Sequence, residues 1–105
     1  MKREAILVAS HIKKYGTLPD NYISKETARL FGWSGGSIET LFPGHLIGGS
    51  KFYNYKAILP VADYYECDIG TLGKCTRGKC RLVYSFDKFY FTDDHYRTFE
   101  EIFLS

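Results

Sequence analysis

Three short segments of the sequence carry side chains that could together cleave a phosphodiester. The first contains Glu66, the second runs from Thr76 to Arg81 and contains Arg77 and Arg81, and the third contains His95. A hydroxyl that attacks a neighbouring phosphate needs a base to remove its proton, an acid to protonate the leaving oxygen, and fixed positive charge beside the phosphate. A carboxylate, an imidazole and two guanidiniums can supply these functions.

Each of these residues also has an ordinary structural interpretation. Glu66 taken alone would be an exposed carboxylate paired with Arg81, and His95 would be a structural histidine in a turn. Surface arginines such as Arg77 are usually solvated, although their planar forks match two phosphate oxygens. An imidazole suits the acid because histidine ordinarily titrates near neutrality. The segments therefore indicate a site only when they are taken together.

Composition places the chain among ordered globular proteins. The 105 residues fit one domain, and we expect that domain to span residues 1–105. Hydrophobic residues make up 45% and charged residues 25%, which argues against disorder. The 17% aromatic share is compatible with stacking on single-stranded nucleic acid. A formal net charge of +2 favours a few placed cations over broad binding of duplex phosphates.

Neither a membrane segment nor a metal site is evident. No apolar run approaches membrane-spanning length, and the apolar stretch after the N-terminus is too short for a signal peptide, so we expect a soluble chain without membrane contact. The three cysteines, Cys67, Cys75 and Cys80, form no CxxC pair and have no closely spaced histidine. We therefore expect no metal and no cofactor.

The spacing of apolar residues predicts helices in the N-terminal half and strands in the C-terminal half. A helix over residues 4–15 should stop at Gly16, and Ser24 should cap a second helix that runs through residue 31, followed by a helical turn at residues 38–42. This order predicts an α+β fold, with two to three N-terminal helices packed on a C-terminal antiparallel sheet. The predicted strands are residues 47–53, 62–69, 80–86, 88–92 and 97–103.

The strands within residues 62–86 predict a hairpin that brings chemistry to one face. If the hairpin is centred near residues 73 and 74, Glu66 lies opposite Arg81 and Cys67 lies opposite Cys80. Because side chains alternate along a strand, the first pair shares one face and the thiols point to the other.

The state of the cysteines stays open. In the predicted register, Cys67 and Cys80 could form a cross-strand disulfide in an oxidising compartment, which leaves Cys75 free. Pairing of Cys75 with Cys80 would staple the loop that carries Arg77. All three thiols could also be reduced.

Several separated motifs, in order and at nearly constant spacing, resemble the barnase-like microbial guanyl-specific ribonucleases. The likeness spans almost the whole chain, except that the loop from Thr76 to Arg81 is more similar to the RNase Sa branch of the same family. The motifs are Leu18 to Lys25, Gly32-Trp33, Pro43-Gly44, Ile47 to Gly49 with Phe52 and Asn54, Leu59-Pro60, Tyr65 to Ile69, Arg81 to Tyr84, and Asp94 to Tyr96 with Thr98 and Phe99.

The resemblance implies a metal-free endoribonuclease that cleaves single-stranded RNA to a 2′,3′-cyclic phosphate and then hydrolyses it. Glu66 would be the general base and His95 the general acid, while Arg77 and Arg81 would hold the scissile phosphate. Lys25 would stabilise the charge of the transition state. Lys25 lies in the first turn of the predicted second helix, where a positive charge is unfavourable next to the positive end of the helix macrodipole. Either an anion that binds there or screening of the charge by water would account for it.

The loop that would bind the base departs from the family. The resemblance implies that this loop reads guanine through backbone groups and an acidic side chain, but the sequence has Tyr55 and Lys56 where arginine and glutamate are usual. Since lysine cannot accept the donors of guanine, we expect guanine preference to be weakened or replaced. Tyr55 could stack on a base or pack over its own loop. The predicted base-binding residues are Phe52, Tyr53, Asn54, Tyr55, Lys56 and Tyr96.

The resemblance also implies a biological role. The protein would be a secreted or delivered bacterial toxin that is active in the cytoplasm of the target cell and is controlled by an acidic inhibitor of the barstar type. The protein would be a monomer with RNA as its substrate. The alternatives are an RNA-binding module that keeps the fold without efficient catalysis, and a structural or protein-interaction domain.

Overall fold

The computed structural model describes residues 1–104 and has the predicted α+β architecture. A long helix and a short one precede most of a six-stranded sheet, and a single 3₁₀ turn at Ile38–Thr40 lies between them and the second strand. The elements are α1 (Lys2–Tyr15), β1 (Tyr22–Ile23), α2 (Lys25–Leu30), β2 (Leu46–Phe52), β3 (Tyr64–Asp68), β4 (Arg81–Tyr84), β5 (Phe89–Thr92) and β6 (Glu100–Ile102).

The helix boundaries follow the local signals in the sequence. α1 ends at Gly16, whose φ of 77° is left-handed and whose N–H donates to the carbonyl of Ile12 at 2.7 Å. Ser24 caps α2, because its Oγ accepts the N–H of Thr27 at 3.1 Å. Both predicted helices are confirmed. α1 begins two residues earlier than predicted, and Phe31 caps the end of α2 instead of lying within it.

The sheet has the order β1 to β6, and each strand neighbours the next one along the chain. β1 is parallel to β2, and the remaining pairs are antiparallel, so the sheet is mostly antiparallel, as predicted, with one parallel pair that was not predicted. The sequence pattern missed β1 because two residues, Tyr22 and Ile23, are too few for alternation to be visible. The last strand is shorter than predicted.

The hairpin register differs from the predicted one by two residues. Asp68 lies opposite Arg81, Glu66 lies opposite Val83, and Cys67 lies opposite Leu82. The direct pairing of Glu66 with Arg81 was therefore wrong. A shift by an even number keeps every side chain on its predicted face. The prediction failed because the connection is a long irregular loop, and only a tight turn fixes a register from the sequence.

The predicted opposition of Cys67 and Cys80 is corrected by the same shift in register. Cys67 is buried on the face that packs against α1, and the residue opposite it is Leu82, not Cys80. All three thiols are free in the structure, with Cys75 exposed. Burial raises the pKa of the Cys67 thiol well above its ordinary value. The direct opposition on which the predicted cross-strand disulfide depended is absent.

The two faces of the sheet have different roles. One face packs against α1 through an apolar cluster that includes Ala9, Leu82 and Phe91. The opposite face carries a second apolar cluster around Tyr64 and Val83, and next to it the polar residues of β3 and β4. Within residues 1–104, no helix is long and apolar enough to cross a membrane.

Gly48 allows the strands at the start of this sheet to approach closely. A Cβ at Gly48 would lie 2.6 Å from the Cβ of Cys67 and 2.6 Å from Cδ1 of Tyr22. Tyr22 also donates its hydroxyl to the backbone carbonyl of Asp68 at 2.7 Å. The close contact at Gly48 therefore helps to fix the end of β3 that carries the polar residues.

Candidate active site

The polar face of the sheet is built around alternate residues of β3. Glu66 and Asp68 point to the same side, because they are two positions apart on one strand. Arg81 on β4 lies opposite Asp68, and Thr92 on β5 lies opposite Arg81. Ser50 on β2 lies opposite Glu66. The strands therefore arrange acidic, basic and hydroxyl groups in neighbouring rows.

Asp68 holds both arginines of the basic loop. Arg77 donates from Nε to Oδ2 at 2.7 Å and from Nη2 to Oδ1 at 2.8 Å, which is a bidentate pair. Nε of Arg81 lies 3.1 Å from Oδ1 of Asp68, whose side chain is 1% exposed. One carboxylate thus fixes two guanidiniums, and the cluster keeps a net positive charge. The hydrogen bonds that Arg77 donates to Asp68 raise the pKa of Arg77, against the opposing effect of burial.

The backbone of the loop fixes Arg81 further. Its Nη1 donates to the carbonyl oxygens of Arg77, Gly78 and Cys80, at distances of 3.2, 3.1 and 2.8 Å. The Arg81 side chain is 4% exposed. A guanidinium held by four groups loses little further freedom when it binds an anion, so the site is preorganised.

Asp68 was not predicted as a site residue, although its position in the sequence indicates the face on which it lies. It follows Glu66 by two positions, so alternation alone places it on the face predicted for Glu66 and the arginines. Two converging cations need a nearby anion when they are removed from water. The incorrect register hid this, because it placed Glu66 opposite Arg81.

Glu66 lies between a hydroxyl and a cation. The hydroxyl of Tyr96 donates to its Oε1 at 2.8 Å, and Nζ of Lys25 lies 3.8 Å from the same oxygen. The side chain of Glu66 is 13% exposed. The hydroxyl of Ser50, in the neighbouring strand, is buried and has no hydrogen-bond partner among residues 1–104. The contacts of Glu66 use Oε1 and leave Oε2 for a ligand.

Tyr96 connects Glu66 to the histidine loop. Burial, followed by the charge of Glu66, raises the pKa of Tyr96, which keeps the phenol protonated as a donor. Its ring stacks on Phe52 with centroids 5.1 Å apart and lies 4.7 Å from the ring of His95. Tyr96 is therefore in contact with the general-base candidate, the general-acid candidate and the first residue of the predicted base-binding set.

His95 is presented by a strained turn after β5. His95 has a φ of 56° and Tyr96 a φ of 73°, which are unusual for residues other than glycine. The N–H of His95 donates to the carbonyl of Lys79 at 3.1 Å, which joins this turn to the arginine loop. The N–H of Tyr96 donates to Oγ1 of Thr92 at 3.1 Å. These bonds hold an exposed imidazole beside the cationic loop.

Asp94 organises the same turn from inside. Its Oδ1 accepts the N–H groups of Arg97 and Thr98 and the hydroxyl of Thr92, and its Oδ2 accepts the hydroxyl of Thr98. The hydrogen bonds from Thr98 lower the pKa of Asp94 well below its ordinary value. Asp94 therefore remains ionised and stabilises the conformation that positions His95.

A cavity of about 240 Å³ is lined by His95 and by the predicted base-binding residues, which include Tyr96. The amide of Asn54 bonds to the backbone of Leu59, donating to its carbonyl at 2.7 Å and accepting its N–H at 3.3 Å, so Asn54 shapes the loop. Tyr55 is 87% exposed. The lining residues are Phe52, Tyr53, Asn54, Tyr55, Lys56, Ile58, His95, Tyr96 and Phe99.

The exposed part of this loop is held by few contacts. The rings of Tyr53 and Tyr55 stack on each other with centroids 5.5 Å apart, and Nζ of Lys51 lies 5.5 Å from the ring of Tyr53. Lys56 is exposed at the cavity wall. The cavity wall therefore offers aromatic surface and a cation.

The structure brings the sequence-predicted residues into three adjoining groups. Glu66 contacts Lys25 and Tyr96, while Arg77 and Arg81 meet on Asp68, and the turn with His95 bridges these groups to the cavity. The described residues, 1–104, contain no cluster of three or more histidine, cysteine, aspartate or glutamate side chains that could hold a metal ion. The arrangement can combine proton transfer with binding of a phosphate.

Comparison with known proteins identifies the family of this chain. Residues 7–103 match a family model described as ribonuclease. A ribonuclease of Heyndrickxia coagulans is 43% identical over 101 residues, which span 90% of this chain and 92% of that protein. Ribonucleases of Bacillus intermedius and Bacillus pumilus are also 43% identical over 101 residues, but the match spans 62% of their length. The chain therefore belongs to the ribonuclease family, among its barnase-like members.

Proposed function

We propose that residues 1–105 form a single ribonuclease domain that cleaves single-stranded RNA internally, without a metal ion. The observation that carries this proposal is the contact set of Glu66, which meets Lys25 and Tyr96 on the face where Asp68 holds two arginines. A site for proton transfer thus adjoins a site for a phosphate. Both are needed when a ribose hydroxyl attacks its own phosphodiester.

Glu66 acts as the general base in this proposal. Its Oε2 removes the proton of the ribose 2′-hydroxyl, and the 2′-oxygen attacks phosphorus to give the 2′,3′-cyclic phosphate. The hydroxyl of Tyr96 at 2.8 Å and Nζ of Lys25 at 3.8 Å hold the carboxylate in place from Oε1. A positioned base of this kind contributes about 10²–10⁴-fold to a rate.

His95 acts as the general acid on the leaving group. The bond between phosphorus and the 5′-oxygen breaks, and the imidazolium gives its proton to that oxygen. In the second stage, His95 takes a proton from water, which opens the cyclic phosphate, and Glu66 returns a proton to the 2′-oxygen. The strained turn and the bond to Lys79 support this role, because they direct His95 to the edge of the arginine loop.

Three cations stabilise the charge that develops on the phosphate. The contacts with Asp68 use Nε and Nη2 of Arg77 and Nε of Arg81, which leaves the outer Nη1 of Arg77 and Nη2 of Arg81 for phosphate oxygens. Lys25 approaches from α2 on the Glu66 side. Donors that are already fixed require little rearrangement as the charge forms, and such electrostatic stabilisation is often the largest contribution to catalysis.

The cavity beside His95 holds the base in this proposal. Phe52 and Tyr96 supply the floor, and Asn54 keeps the loop in shape through Leu59. Lys56 stands where the family pattern has a glutamate, and an ammonium cannot accept hydrogen bonds from guanine. We therefore propose a weaker preference for guanine than the family pattern implies.

In this proposal the protein is a secreted or delivered bacterial toxin that acts as a monomer in the cytoplasm of its target cell. A producer of such an enzyme needs protection, and the side chains of Lys25 and Arg77, which are 26% and 21% exposed, place positive charge at the surface. The proposed partner is an acidic inhibitor of the barstar type that covers this surface through complementary charge.

Cleavage of a defined single-stranded RNA in EDTA tests the enzymatic role. We expect the wild-type protein to cut the RNA, and Glu66→Ala and His95→Ala to lower the rate by about 10²-fold or more. Asp20→Ala is a matched control, because this exposed aspartate forms no ion pair or side-chain hydrogen bond within residues 1–104. Binding of intact RNA without cleavage would support the RNA-binding alternative instead.

A further inference from the structure

The loop between β3 and β4, residues 69–80, rests on a second segment of the chain, residues 33–44. Trp33 is buried in the cluster beneath α2, and its indole Nε1 donates to the carbonyl of Gly36 at 3.0 Å. The guanidinium of Arg77 lies over the Trp33 ring, 5.8 Å from its centroid. Arg77 therefore lies between an aromatic ring of one segment and the sheet.

The two segments are also joined through their backbones. The N–H of Ser37 donates to the carbonyl of Cys75 at 3.2 Å. A Cβ at Gly36 would lie 3.3 Å from the same carbonyl oxygen, so the chains are in close contact there. Cys75 lies two positions before Arg77, and this bond fixes one end of the short stretch that carries the arginine.

Glu39 makes the third connection, and within residues 1–104 it is the only charged side chain that forms a hydrogen bond between these two segments. Its Oε1 accepts the N–H of Gly73 at 2.5 Å, and its Oε2 accepts the N–H of Gly44 at 3.3 Å. A hydrogen bond to an ionised carboxylate is stronger than one between neutral groups. Gly73 has a φ of 78°, so the backbone there adopts a turn that favours glycine.

We propose that Glu39 is a positioning residue of the phosphate site, because its carboxylate fixes Gly73 and thereby the loop that carries Arg77. The loop buries little of its own surface, since residues 72–76 are all exposed. A segment with few buried apolar contacts depends on its hydrogen bonds for a defined conformation. Asp68 orients the guanidinium of Arg77, and Glu39 sets the backbone from which that side chain extends.

This inference rests on the proposed role of Arg77 at the phosphate, and a double-mutant cycle tests it. We expect Arg77→Ala to lower kcat/KM for RNA cleavage by about 10²–10³-fold, and Glu39→Ala to lower it by about tenfold through misplacement of the loop. Combined with Arg77→Ala, the second substitution should lower kcat/KM no further. A residue that merely stabilises the fold would have the same effect in both backgrounds.

Two further variants complete the test. Glu39→Gln keeps a carbonyl oxygen for Gly73 and should recover part of the lost rate, while Glu101→Ala, which removes a half-buried glutamate paired with Lys88 at 3.6 Å, should leave kcat/KM unchanged. Amide hydrogen exchange at Gly73 should be faster in Glu39→Ala than in the wild-type protein. Circular dichroism shows which variants are folded, and Glu39→Gln replaces Glu39→Ala in the cycle if the latter is not.

The outcomes separate this inference from the proposed function. If Arg77→Ala lowers cleavage while Glu39→Ala behaves as the wild-type protein, the role of Glu39 is wrong and the phosphate site stands. An equal loss from Glu39→Ala in both backgrounds also overturns it. If Arg77→Ala itself cleaves normally, the proposed phosphate site fails, and the role of Glu39 fails with it.

Discussion

The phosphate site and the base loop are built in opposite ways. At the phosphate site, Asp68 and Arg81 are almost fully buried, Arg77 forms two hydrogen bonds with Asp68, and Arg81 donates to three backbone carbonyls. In the base loop, Tyr55 is 87% exposed, and the exposed Lys56 forms no ion pair or side-chain hydrogen bond within residues 1–104. The first region is costly to alter, because a lost partner leaves a buried charge uncompensated. The second can change its residues without disturbing the core.

This difference fits the proposed change in recognition of the base. The proposed departures from the family pattern, Tyr55 and Lys56, lie in the exposed loop, whereas Glu66 and His95 have residue types suited to the proposed proton transfer. Asn54 is the exception within the loop, since its amide bonds to Leu59 and has a structural role. We infer that recognition of the base can be altered in this fold with little effect on the chemistry.

Removal of the charge of Asp68 should have the largest effect. Asp68→Asn leaves two arginines without their shared anion, so we expect cleavage to fall by about 10²–10³-fold and the free energy of unfolding to fall by about 3–5 kcal/mol. Urea unfolding and initial rates measure the two effects. Asp63→Asn, at an exposed site before β3, is the control. Wild-type stability in Asp68→Asn would show that the arginines do not depend on this carboxylate.

Asp94→Asn should have a smaller effect that depends on pH. The pKa of Asp94 is lowered by the folded state from its ordinary value of 3.8, so its ionised form stabilises the fold above that pH, and the stabilisation is lost as the pH falls towards the lower folded pKa. The variant should therefore be less stable than the wild-type protein near pH 7, and the difference should shrink below about pH 4. Cleavage should fall by about tenfold, because His95 loses its support.

Urea unfolding from pH 7 to pH 3 measures this dependence. The neighbouring Asp93→Asn is the matched control, because the structure gives Asp93 no side-chain hydrogen bond within residues 1–104. A difference between the wild-type protein and Asp94→Asn that stays constant across this range would contradict the assigned role of the ionised carboxylate.

Lys56→Glu should change specificity more than rate. The substitution restores an acceptor at the cavity wall, and we expect the preference for guanine over adenine to rise by about tenfold, which corresponds to about 1.4 kcal/mol. Dinucleoside phosphates that differ in the first base measure this through kcat/KM. Lys51→Glu makes the same change of charge on β2 and is the control. A strong guanine preference in the wild-type protein would show that the inference about Lys56 is wrong.

Tyr55→Ala should have the smallest effect on the fold. The ring is 87% exposed and contacts Tyr53 at the surface, so we expect the free energy of unfolding to change by no more than about 0.5 kcal/mol. Urea unfolding measures it, with Tyr64→Ala as a contrasting variant in which a buried ring is lost. A loss above about 1 kcal/mol in Tyr55→Ala would place the base loop among the structural parts of the molecule.

Local signals in the sequence predicted much of the fold, because the helices are bounded by groups that act within a few residues. Ser24 caps α2 and Gly16 ends α1, as their residue types indicate. The register of β3 and β4 was not predictable in this way, since it depends on a long loop and not on a tight turn. Alternation still assigned Glu66 and Arg81 to the correct face.

The residues that position the site were harder to predict than those proposed to do the chemistry. Asp68 matters because two arginines from a loop meet on it, which becomes visible only with the register. Glu39 lies far along the chain from Gly73, and their contact depends on how two irregular segments pack together. Composition and spacing carry no information about such a contact. The resemblance likewise concerned the proposed chemical groups and gave Glu39 no role.

The products of cleavage test the central claim most directly, namely that Glu66 and His95 act on a phosphate held by Arg77 and Arg81. Phosphorus NMR of a dinucleoside phosphate incubated with the protein in EDTA distinguishes the possible products. We predict that a 2′,3′-cyclic phosphate accumulates first and is then converted to a 3′-phosphate. Release of a 5′-phosphate, or a reaction that stops in EDTA, would contradict the mechanism.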